Sequence, residues 1–539
     1  MSKLATAEPE AAPPASSGKR RGLLSAGLLP ILLVSIALVA MGAGALLIAS
    51  SYDGEYQARA LGPNLAINDS ASNALDLSAH NSPEIVRNPV DERNLVIANR
   101  IDSPAYSCSL HVSFDGGGRW AQTPIPAPPR EEPKCYAPDV AFGRNGTLYV
   151  SYVTLRGRAN SPNAVWISRS TDGGKTLSAP VETPLGPRAF QVRLTADPRS
   201  NSRIFLTYLK AGELGLYAFT TTGNPIMAVR SEDGGSNWTQ PARISAPARQ
   251  RVVAPSPAAG SRAGELNVLY VDLGNDVLDY AGGHQGRGGP PYGGSWQLVL
   301  ARSTNNGATW RESVVERSLR PTERFVVFTP PFPSLAVDRD SGRLYAAFHD
   351  GRFGDADVFL WSLGRDSASW STAKRVNDTR LRDGTAQYLP KLSVAPNGRL
   401  DVMYYDRRDD RTNVLNEVSL QSSFDAGKTF LPRVQLSDRP FSSRIGFGLE
   451  RGLPDIGSRL ALVSTESRAY GVWTDTRGGS VRTAKQDLAR GIVAFNDPPR
   501  LSSGAKTALT VGGIALVLAG LGLLAASLLR RRRAAQPAT

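Results

Sequence analysis

Cysteine and histidine are scarce in this chain of 539 residues, which contains 2 Cys and 4 His. Two cysteines cannot build a disulfide-rich scaffold or a four-thiolate zinc site. Neither a His-x-x-x-His nor a Cys-x-x-Cys spacing occurs, so the sequence predicts no zinc centre. We therefore expect neither a metal nor a cofactor. The four histidines are His80, His111, His284 and His349.

Charged residues are also few, at 20% of the chain, whereas hydrophobic residues make up 41%. That hydrophobic share is too high for a disordered chain, and the mixed periodicity excludes a coiled coil. The net charge is +14, but no single face or helix is visibly basic. We therefore expect an ordinary solvated surface and no nucleic-acid partner.

Charge is absent altogether from two long stretches, residues 23–50 and residues 507–529. About 20 apolar residues are enough for a helix to cross the hydrocarbon core of a membrane. A cleaved signal peptide is the alternative for the first stretch, although its apolar region usually has only about 7–15 residues. We expect a transmembrane helix at each end of the chain.

Basic residues flank the outer end of both apolar stretches, with Lys19 to Arg21 before the first and Arg530 to Arg533 after the second. The positive-inside rule then places both tails in the cytoplasm and the middle of the chain outside. The sequence thus predicts a cell-membrane protein with an extracytoplasmic middle. Its expected segments are a tail at 1–22, a helix at 23–50, an ectodomain at 51–505, a helix at 507–529 and an Arg-rich tail at 530–539.

The extracytoplasmic location permits a disulfide bond. Cys108 and Cys135 are 27 residues apart, and each lies beside an apparent strand. We predict that they pair.

A short phrase of the form Ser-x-Asp-x-Gly-x-Thr-Trp recurs along the middle of the chain. The steps between the first serines are 57, 61, 72 and 120 residues, and a decayed copy at 362–370 divides the longest step. A period near 60 with short β-rich segments predicts propeller blades rather than a helical solenoid. The five copies begin at Ser113, Ser170, Ser231, Ser303 and Ser423.

The residues of the repeated phrase are those expected in a tight turn. Its acidic side chain can accept hydrogen bonds from backbone N–H groups of the same turn, and its glycine permits a positive φ. The aromatic residue at its end can anchor the hairpin on neighbouring apolar surface. We therefore predict that the third position of each copy is structural, namely Asp115, Asp172, Asp233, Asn305 and Asp425.

Strands upstream of each turn complete the repeating unit. A strand often led by proline precedes a second strand rich in Val, Leu and Tyr, as in 137–142 followed by 148–152. The count is seven units of about four strands, which predicts an all-β propeller. Residues 65–69 are similar to 375–379 at an outer-strand position, so we expect them to complete the last blade and close the ring.

The repeated phrase resembles the Asp-box, or bacterial neuraminidase repeat, of the sialidase superfamily of β-propellers. The copies cover about 430 of the 539 residues. The phrases Tyr-Asp-Arg-Arg at 405–408 and Trp-Thr-Asp-Thr-Arg at 473–477 are also similar to bacterial sialidase-family proteins of unassigned activity. The resemblance implies six blades, whereas the units number seven. We expect seven blades, with six as the alternative.

The resemblance also implies an active site with three arginines on a substrate carboxylate, a tyrosine nucleophile activated by a glutamate, and an aspartate acid/base. The family's Arg-Ile-Pro phrase is absent, and the nearest counterpart at 84–89 lacks it. Tyr404, Tyr405 and Glu450 are candidates for the nucleophile and its partner, although no spacing singles them out.

Three Asp-x-Arg phrases share one register, just after the second strand of three successive units. Equivalent positions in a propeller lie on one rim, so the three guanidinium groups would converge there on a carboxylate or sulfate. In the alternative, each aspartate pairs with its own or a neighbouring arginine to fix the loop. The three pairs are Asp350 with Arg352, Asp406 with Arg408, and Asp475 with Arg477.

The glycine-rich stretch 274–295 lacks the Gly-Lys-Ser/Thr of a phosphate-binding loop. It is predicted to be a tolerated surface insertion or, alternatively, a loop that contacts a substrate or partner.

Two functional hypotheses follow from these patterns. The first is a non-catalytic module that binds a cell-surface glycan or protein. The second is an exo-acting glycoside hydrolase that resembles an exo-alpha-sialidase. The missing Arg-Ile-Pro phrase favours the first, and the shared register of the three arginines supports the second.

Overall fold

The computed structural model describes residues 28–51, 55–73, 75–212, 218–219, 222–279, 289–290, 292–322, 331–446, 456–496 and 503–534. The chain divides into two units, one formed by residues 1–56 and 497–539 and the other by residues 57–496.

The first unit contains two helices, α1 (Leu28–Ser51) and α2 (Ser503–Ala534). Both are long and apolar enough to span a membrane, with mean hydropathies of 2.7 and 2.3. The helices pack where glycine removes the side chain, since a Cβ at Gly42 would lie 2.6 Å from the carbonyl oxygen of Gly513. Close packing at small residues is typical of membrane helix pairs. The two helices suggest that the protein is anchored in a membrane.

The second unit is a seven-bladed β-propeller, which confirms the predicted fold class and decides for seven blades over six. The repeated four-stranded units form a closed ring because each sheet can bury both of its faces only against the neighbouring sheets. The strands in chain order are β1 (Ala58–Ala60), β2 (Leu65–Ala66), β3 (His80–Arg87), β4 (Leu95–Ile101), β5 (Ser107–Ser113), β6 (Ala121–Thr123), β7 (Cys135–Phe142), β8 (Leu148–Arg156), β9 (Ser161–Ser170), β10 (Val181–Glu182), β11 (Ala189–Ala196), β12 (Ile204–Lys210), β13 (Ala218–Phe219), β14 (Ile226–Ser231), β15 (Ala242–Arg243), β16 (Val252–Ala259), β17 (Leu266–Asp272), β18 (Leu278–Asp279), β19 (Trp296–Ser303), β20 (Arg311–Leu319), β21 (Ser334–Val337), β22 (Leu344–Phe353), β23 (Asp355–Leu363), β24 (Lys374–Arg375), β25 (Gln387–Val394), β26 (Leu400–Asp406), β27 (Leu415–Ser423), β28 (Val434–Gln435), β29 (Phe441–Ser442), β30 (Ala461–Ser464), β31 (Arg468–Asp475) and β32 (Asp487–Phe495).

Each blade is an antiparallel meander, and we number the blades in chain order. Blade 1 is β3 to β6, blade 2 is β7 to β10, and blade 3 is β11, β12, β14 and β15. Blade 4 is β16, β17, β19 and β20, blade 5 is β21 to β24, and blade 6 is β25 to β28 with β29 added. Blade 7 is β30 to β32 with β1 and β2, while β13 and β18 form a separate pair. The first strand of every blade contacts the first strands of both neighbours, so these strands form the inner ring.

The ring is closed by strands from opposite ends of the propeller unit. Leu65 pairs with Arg490 and Ala58 with Phe495, so β2 and β1 both add to β32. The closure predicted from residues 65–69 is confirmed for β2, and β1 adds a second closing strand that the sequence did not reveal. Closing the ring in this way leaves no long unpaired edge on blade 7.

A buried ion pair within blade 6 lies against blade 7. Arg399 is fully buried, and its Nε lies 2.9 Å from Oδ1 of Asp401. Its guanidinium carbon lies 3.6 Å from the centre of the Phe495 ring, and its Nη2 donates to the carbonyl of Thr465 at 2.9 Å. These contacts satisfy both charges inside the fold, which is the condition for burying an ion pair.

The five repeated turns link the third and fourth strands of blades 1, 2, 3, 4 and 6. In the first of them, the amide of Gly117 donates to Oγ of Ser113 at 2.9 Å and the amide of Arg119 donates to Oδ1 of Asp115 at 3.0 Å. Asn305 serves in the same way, since its Oδ1 accepts from the amide of Thr309 at 3.0 Å. An amide oxygen therefore suffices for this turn, as expected for a backbone-capping role.

The expected disulfide between Cys108 and Cys135 is present, and their Cα atoms are 5.7 Å apart. Cys108 belongs to β5 and Cys135 begins β7, so the bond joins blade 1 to blade 2.

Candidate functional site

The inner strands share a distortion that aims one side chain into the central channel. Five of them contain a β-bulge next to a non-glycine residue with φ between 48° and 60°. Bulges redirect side chains, and positive φ is unusual for such residues, so this recurring geometry points to a constraint on function or packing. The five residues are Ser82, Ala137, Gln191, Ala254 and Leu389.

The residue two positions after each of these five positive-φ residues belongs to a ring of side chains, which we call the channel ring. Blades 5 and 7 have an equivalent position at the start of their inner strands, directly after Pro333 and Ser458. The channel ring consists of Glu84, Asp139, Arg193, Ser256, Ser334, Lys391 and Arg459, one from each blade.

Glu84 is the hub of the channel ring. Its carboxylate lies 2.7 Å from Nη2 of Arg193 and 2.8 Å from Nζ of Lys391. These partners belong to blades 3 and 6, so each ion pair with blade 1 skips one blade of the ring. Asp139 adds a second carboxylate, 3.2 Å from Nε of Arg193. The ion pairs therefore link blades 1, 2, 3 and 6 at this level.

The charges of the channel ring shift one another's proton affinities. Burial raises the pKa of Glu84, but Lys391 and Arg193 outweigh it and lower the pKa to about 2. Burial dominates at Asp139 and raises its pKa. Burial also lowers the pKa of Lys391, and burial together with Arg193 lowers that of Arg459 to about 10. Two carboxylates on adjacent blades are thus driven in opposite directions.

A small cavity of about 10 Å³ lies beside the channel ring. Arg459 and Arg100 contribute its guanidinium groups, and Gln191 contributes an amide that is 4% exposed. Oε1 of Gln191 accepts from the amide of Ala254 at 2.6 Å, while its Nε2 has no hydrogen-bond partner within the described part of the chain. The lining residues are Ser82, Arg100, Tyr136, Ala137, Pro138, Gln191, Phe332, Ser458 and Arg459.

Arg100 is held in the cavity wall from two sides. Its Nε donates to Oδ2 of Asp102 at 3.1 Å, and its guanidinium carbon lies 5.5 Å from the centre of the Tyr136 ring. Arg459 is held by carbonyl groups, since its Nη2 donates to Pro138 at 3.0 Å and its Nε to Pro83 at 3.3 Å. The site can therefore present fixed cationic groups to a ligand.

The structure places the three predicted ligand-binding arginines in three separate ion-pair clusters instead of one cavity. Each arginine pairs with the aspartate two positions before it and with a carboxylate at the outer strand of the preceding blade. These contacts are those of the pairing alternative, and the binding of a ligand by the three arginines stays a prediction. The outer partners are Glu316 for Arg352, Asp378 for Arg408 and Asp438 for Arg477.

The two candidate tyrosines also lie away from the cavity. Tyr404 and Tyr405 have no exposed surface, and burial raises the pKa of both hydroxyls well above the usual value. The hydroxyl of Tyr404 donates to Oε1 of Gln421 at 2.7 Å inside blade 6. Both hydroxyls are thus buried in the fold, and the nucleophilic role of either tyrosine stays a prediction. Glu450 lies outside the described residues, as does much of the glycine-rich stretch 274–295.

Sequence reasoning missed the residues that line the cavity, although a signal for the channel ring was present. The proline that leads several inner strands is followed directly by a charged residue in Pro83-Glu84, Pro138-Asp139 and Pro390-Lys391. A charge at the centre of an otherwise apolar strand is unusual, because burying it demands a partner. Within the described ranges, no cluster of three or more His, Cys, Asp or Glu side chains could hold a metal ion.

No family model and no curated protein sequence matches the chain. Among solved structures, it is similar to a protein of unknown function from Dyadobacter fermentans, with 13% identity and a TM-score of 0.43, over 81% of this chain and 99% of that one. It is also similar to an alpha-L-arabinanase from Penicillium chrysogenum, with 16% identity and a TM-score of 0.40, over 70% and 97% of the two chains.

A third similar structure is the NanB sialidase from Streptococcus pneumoniae, with 10% identity and a TM-score of 0.42, over 64% of this chain and 67% of that one. Likenesses this weak carry no argument about activity, and a propeller fold hosts many unrelated functions. The function must therefore be argued from the cavity and its charges.

Proposed function

We propose that the protein is a membrane-anchored propeller that binds an acidic group of a glycan or protein ligand in its central cavity. The observation that carries this proposal is Arg459, a cavity-lining arginine in a buried cluster that holds more positive than negative charge.

The charge count of the channel ring supports an anionic ligand. Among its seven residues there are three cations, Arg193, Lys391 and Arg459, and two carboxylates, Glu84 and Asp139. The lowered pKa values of Lys391 and Arg459 reflect this imbalance, because burial and like charges both oppose a buried cation. An anion in the cavity would supply the missing negative charge.

The amide of Gln191 supports the same conclusion. A buried donor without a partner costs roughly 1–3 kcal/mol, so the fold keeps such a group only where something compensates for it. The amide group of Gln191 and the guanidinium of Arg459 both line the cavity. Convergent donors of this kind suit the oxygen atoms of a carboxylate or sulfate.

Cavity size limits the bound portion of the ligand. The space inside it that a water-sized group can reach is about 10 Å³, enough for roughly one water molecule. The cavity therefore suits one charged group of a ligand, such as a carboxylate, with the remainder of the ligand outside.

Equilibrium binding to the full-length protein in lipid nanodiscs tests this proposal. Glucuronic acid and N-acetylneuraminic acid are the acidic probes, and galactose is the uncharged control. The substitution Gln191→Glu keeps the acceptor for Ala254 and replaces the donor by a carboxylate, so it should abolish binding of both acids. Arg408→Lys on the outer surface is the matched control and should leave binding unchanged. Equal affinity for galactose would overturn the proposal.

The basic flanks of the two helices support an extracytoplasmic propeller, with tails at 1–22 and 530–539 in the cytoplasm. The five turns support membership of the Asp-box propellers, since their hydrogen bonds follow the repeated phrase. Reporter fusions after residues 60 and 535 should give an outside and an inside signal, respectively. The opposite pattern would contradict this topology.

A second candidate is an exo-acting glycoside hydrolase of the sialidase type. The observation in its favour is the pair Glu84 and Asp139, whose pKa values are driven in opposite directions by their surroundings. Such divergence is typical of acid/base pairs, although ion-pair networks produce it too. Incubation with fluorogenic sialosides separates the two candidates: turnover that Asp139→Asn abolishes would establish the hydrolase, and binding without turnover would establish the module.

A further inference from the structure

The junction between blades 1 and 2 is crossed by two neighbouring links. One is the disulfide between Cys108 and Cys135. The other is the contact of the Arg100 guanidinium with the Tyr136 ring, 5.5 Å from its centre. Cys108 is the direct partner of Arg100 in the β4–β5 ladder, and Cys135 immediately precedes Tyr136 in β7.

The register places the two links side by side. Residues that face each other in an antiparallel ladder project from the same face of the sheet, so Cys108 and Arg100 both project toward blade 2. Arg100 and Tyr136 together line the cavity. The disulfide thus joins β7, one residue before Tyr136, to β5, where Cys108 lies directly across the ladder from Arg100 on β4.

The fold itself does not require a disulfide at a blade junction. The chain contains 2 Cys, so all other junctions of the seven-bladed ring form without a disulfide. Packing between blades therefore suffices elsewhere, as it does at the junction of blades 6 and 7, where Arg399 and Asp401 pair. The one covalent link lies at the junction that carries Arg100 and Tyr136.

We propose that the Cys108–Cys135 disulfide is a positioning element of the cavity, which fixes the distance between Arg100 and Tyr136 and so the placement of the Arg100 guanidinium toward an acidic ligand. This inference rests on the proposed function for its effect on binding. Displacement of a charged donor by about 1 Å is enough to weaken a bidentate contact with a carboxylate. The disulfide acts through Arg100 and does not touch the ligand.

A double-mutant cycle on the full chain in nanodiscs tests the proposal, with glucuronic acid and N-acetylneuraminic acid as probes. We expect Cys108→Ala with Cys135→Ala to weaken binding about tenfold, and Arg100→Lys to weaken it by a similar factor. Because both changes remove the same placement of Arg100, the combined variant should be little weaker than either alone. Multiplied effects, or an unchanged affinity in the cysteine variant, would overturn the inference.

A stability control separates positioning from general loosening. Removal of the disulfide is expected to lower the melting temperature of the propeller, because the unfolded chain gains conformational freedom. Arg399→Met should destabilise the propeller by a similar amount at the distant junction of blades 6 and 7. It should leave probe affinity unchanged. An equal loss of affinity in Arg399→Met would show that the disulfide acts only by stabilising the whole fold.

Hydrogen exchange provides a readout that needs no ligand. In the cysteine variant, amides of residues 99–101 and 135–137 should exchange faster than in the wild type, while those of β22 and β26 should not. Unchanged exchange at the first two segments would overturn the positioning role. If the wild type binds neither acid, the proposed function fails, and the exchange experiment still decides whether the disulfide orders the wall.

Discussion

The two groups of arginines in this propeller differ in how their charge is compensated. Each outer arginine lies between two carboxylates. For Arg477, burial alone would lower the pKa, but the hydrogen bonds with Asp475 and Asp438 outweigh burial, and the pKa is raised. Arg459 at the centre lies 3.8 Å from the carboxylate of Glu84, and burial together with Arg193 lowers its pKa although Asp139 and Glu84 oppose this. The negative charge around each outer arginine therefore outweighs the cost of burial, whereas that around Arg459 does not.

The outer clusters also show what their charge is used for. Each outer arginine connects the loop after a second strand to the outer strand of the preceding blade. The blades are thus joined at three successive junctions by charge-assisted hydrogen bonds. At the centre, by contrast, ion pairs link non-adjacent blades, and the cation of Arg459 lies beside a cavity.

The largest expected effect comes from removing the hub of the centre. Glu84→Gln leaves Lys391 and Arg193 without their shared counter-charge in a buried site, which should cost about 3–5 kcal/mol of unfolding free energy. Chemical denaturation measured on the full chain provides the check. Glu316→Gln at the outer surface is the matched control and should cost less than about 1 kcal/mol, because Arg352 retains Asp350.

A rescue variant guards against simple misfolding. Adding Lys391→Met to Glu84→Gln removes the uncompensated cation and should restore most of the lost stability, since an apolar replacement of a buried pair is often neutral. If the double variant is no more stable than Glu84→Gln, the hub role of Glu84 is wrong.

The contribution of Glu84 should also be visible in how the stability of the fold changes at acidic pH. The pKa of Glu84 falls from an ordinary value of 4.5 when unfolded to about 2 when folded. Its contribution is therefore complete above pH 4.5 and is lost as the pH falls through about 2. The difference in melting temperature between the wild type and Glu84→Gln should shrink over that window.

Buried histidines are a second source of acid sensitivity, and comparing the wild type with Glu84→Gln at each pH removes their effect. His80 and His111 are buried, and burial lowers their pKa values to about 4 and about 3. Both therefore stay neutral in the folded protein while the unfolded chain takes up protons below about 6.5, which reduces stability as the pH falls. Because wild type and variant share this loss, a difference that stays constant down to pH 2 would refute the Glu84 assignment.

Removing an outer arginine should have an intermediate effect. Arg408→Ala leaves the fully buried Asp406 with the hydroxyl of Ser419 at 2.7 Å but without its cation, which should cost about 1–3 kcal/mol. Arg352→Ala and Arg477→Ala should behave alike. Affinity for glucuronic acid should not change in any of the three. Loss of binding with unchanged melting temperature would instead restore the convergent-arginine hypothesis.

The outer pairs show how far the sequence could be interpreted. The Asp-x-Arg phrases were visible because their partners are two residues apart, but Glu316, Asp378 and Asp438 lie 30 to 39 residues upstream of the arginines they pair with. No local pattern connects such residues. The blade count and the closing strand were predictable because the repeated turn and its spacing are local features.

The cavity was not predictable because it depends on the bulges of the inner strands. A bulge shifts the alternation of side chains by one residue, so a charge that alternation assigns to a sheet face is redirected into the channel. Glu84 and Lys391 are 307 residues apart and meet only because the ring closes. The proline before each of them was the available hint.

The smallest expected effect distinguishes charge from geometry at the outer surface. Arg477→Lys loses the planar guanidinium that contacts both Asp475 and Asp438. Because a cation remains between the two carboxylates, the substitution should lower the free energy of unfolding by less than about 1 kcal/mol. Arg459→Lys at the centre should change stability just as little, because a single cation replaces another. The two variants should differ in binding: affinity for glucuronic acid should fall about tenfold in Arg459→Lys and stay constant in Arg477→Lys. Equal affinities would mean that compensation does not separate the two groups, because the outer arginine and the central one would then contribute alike.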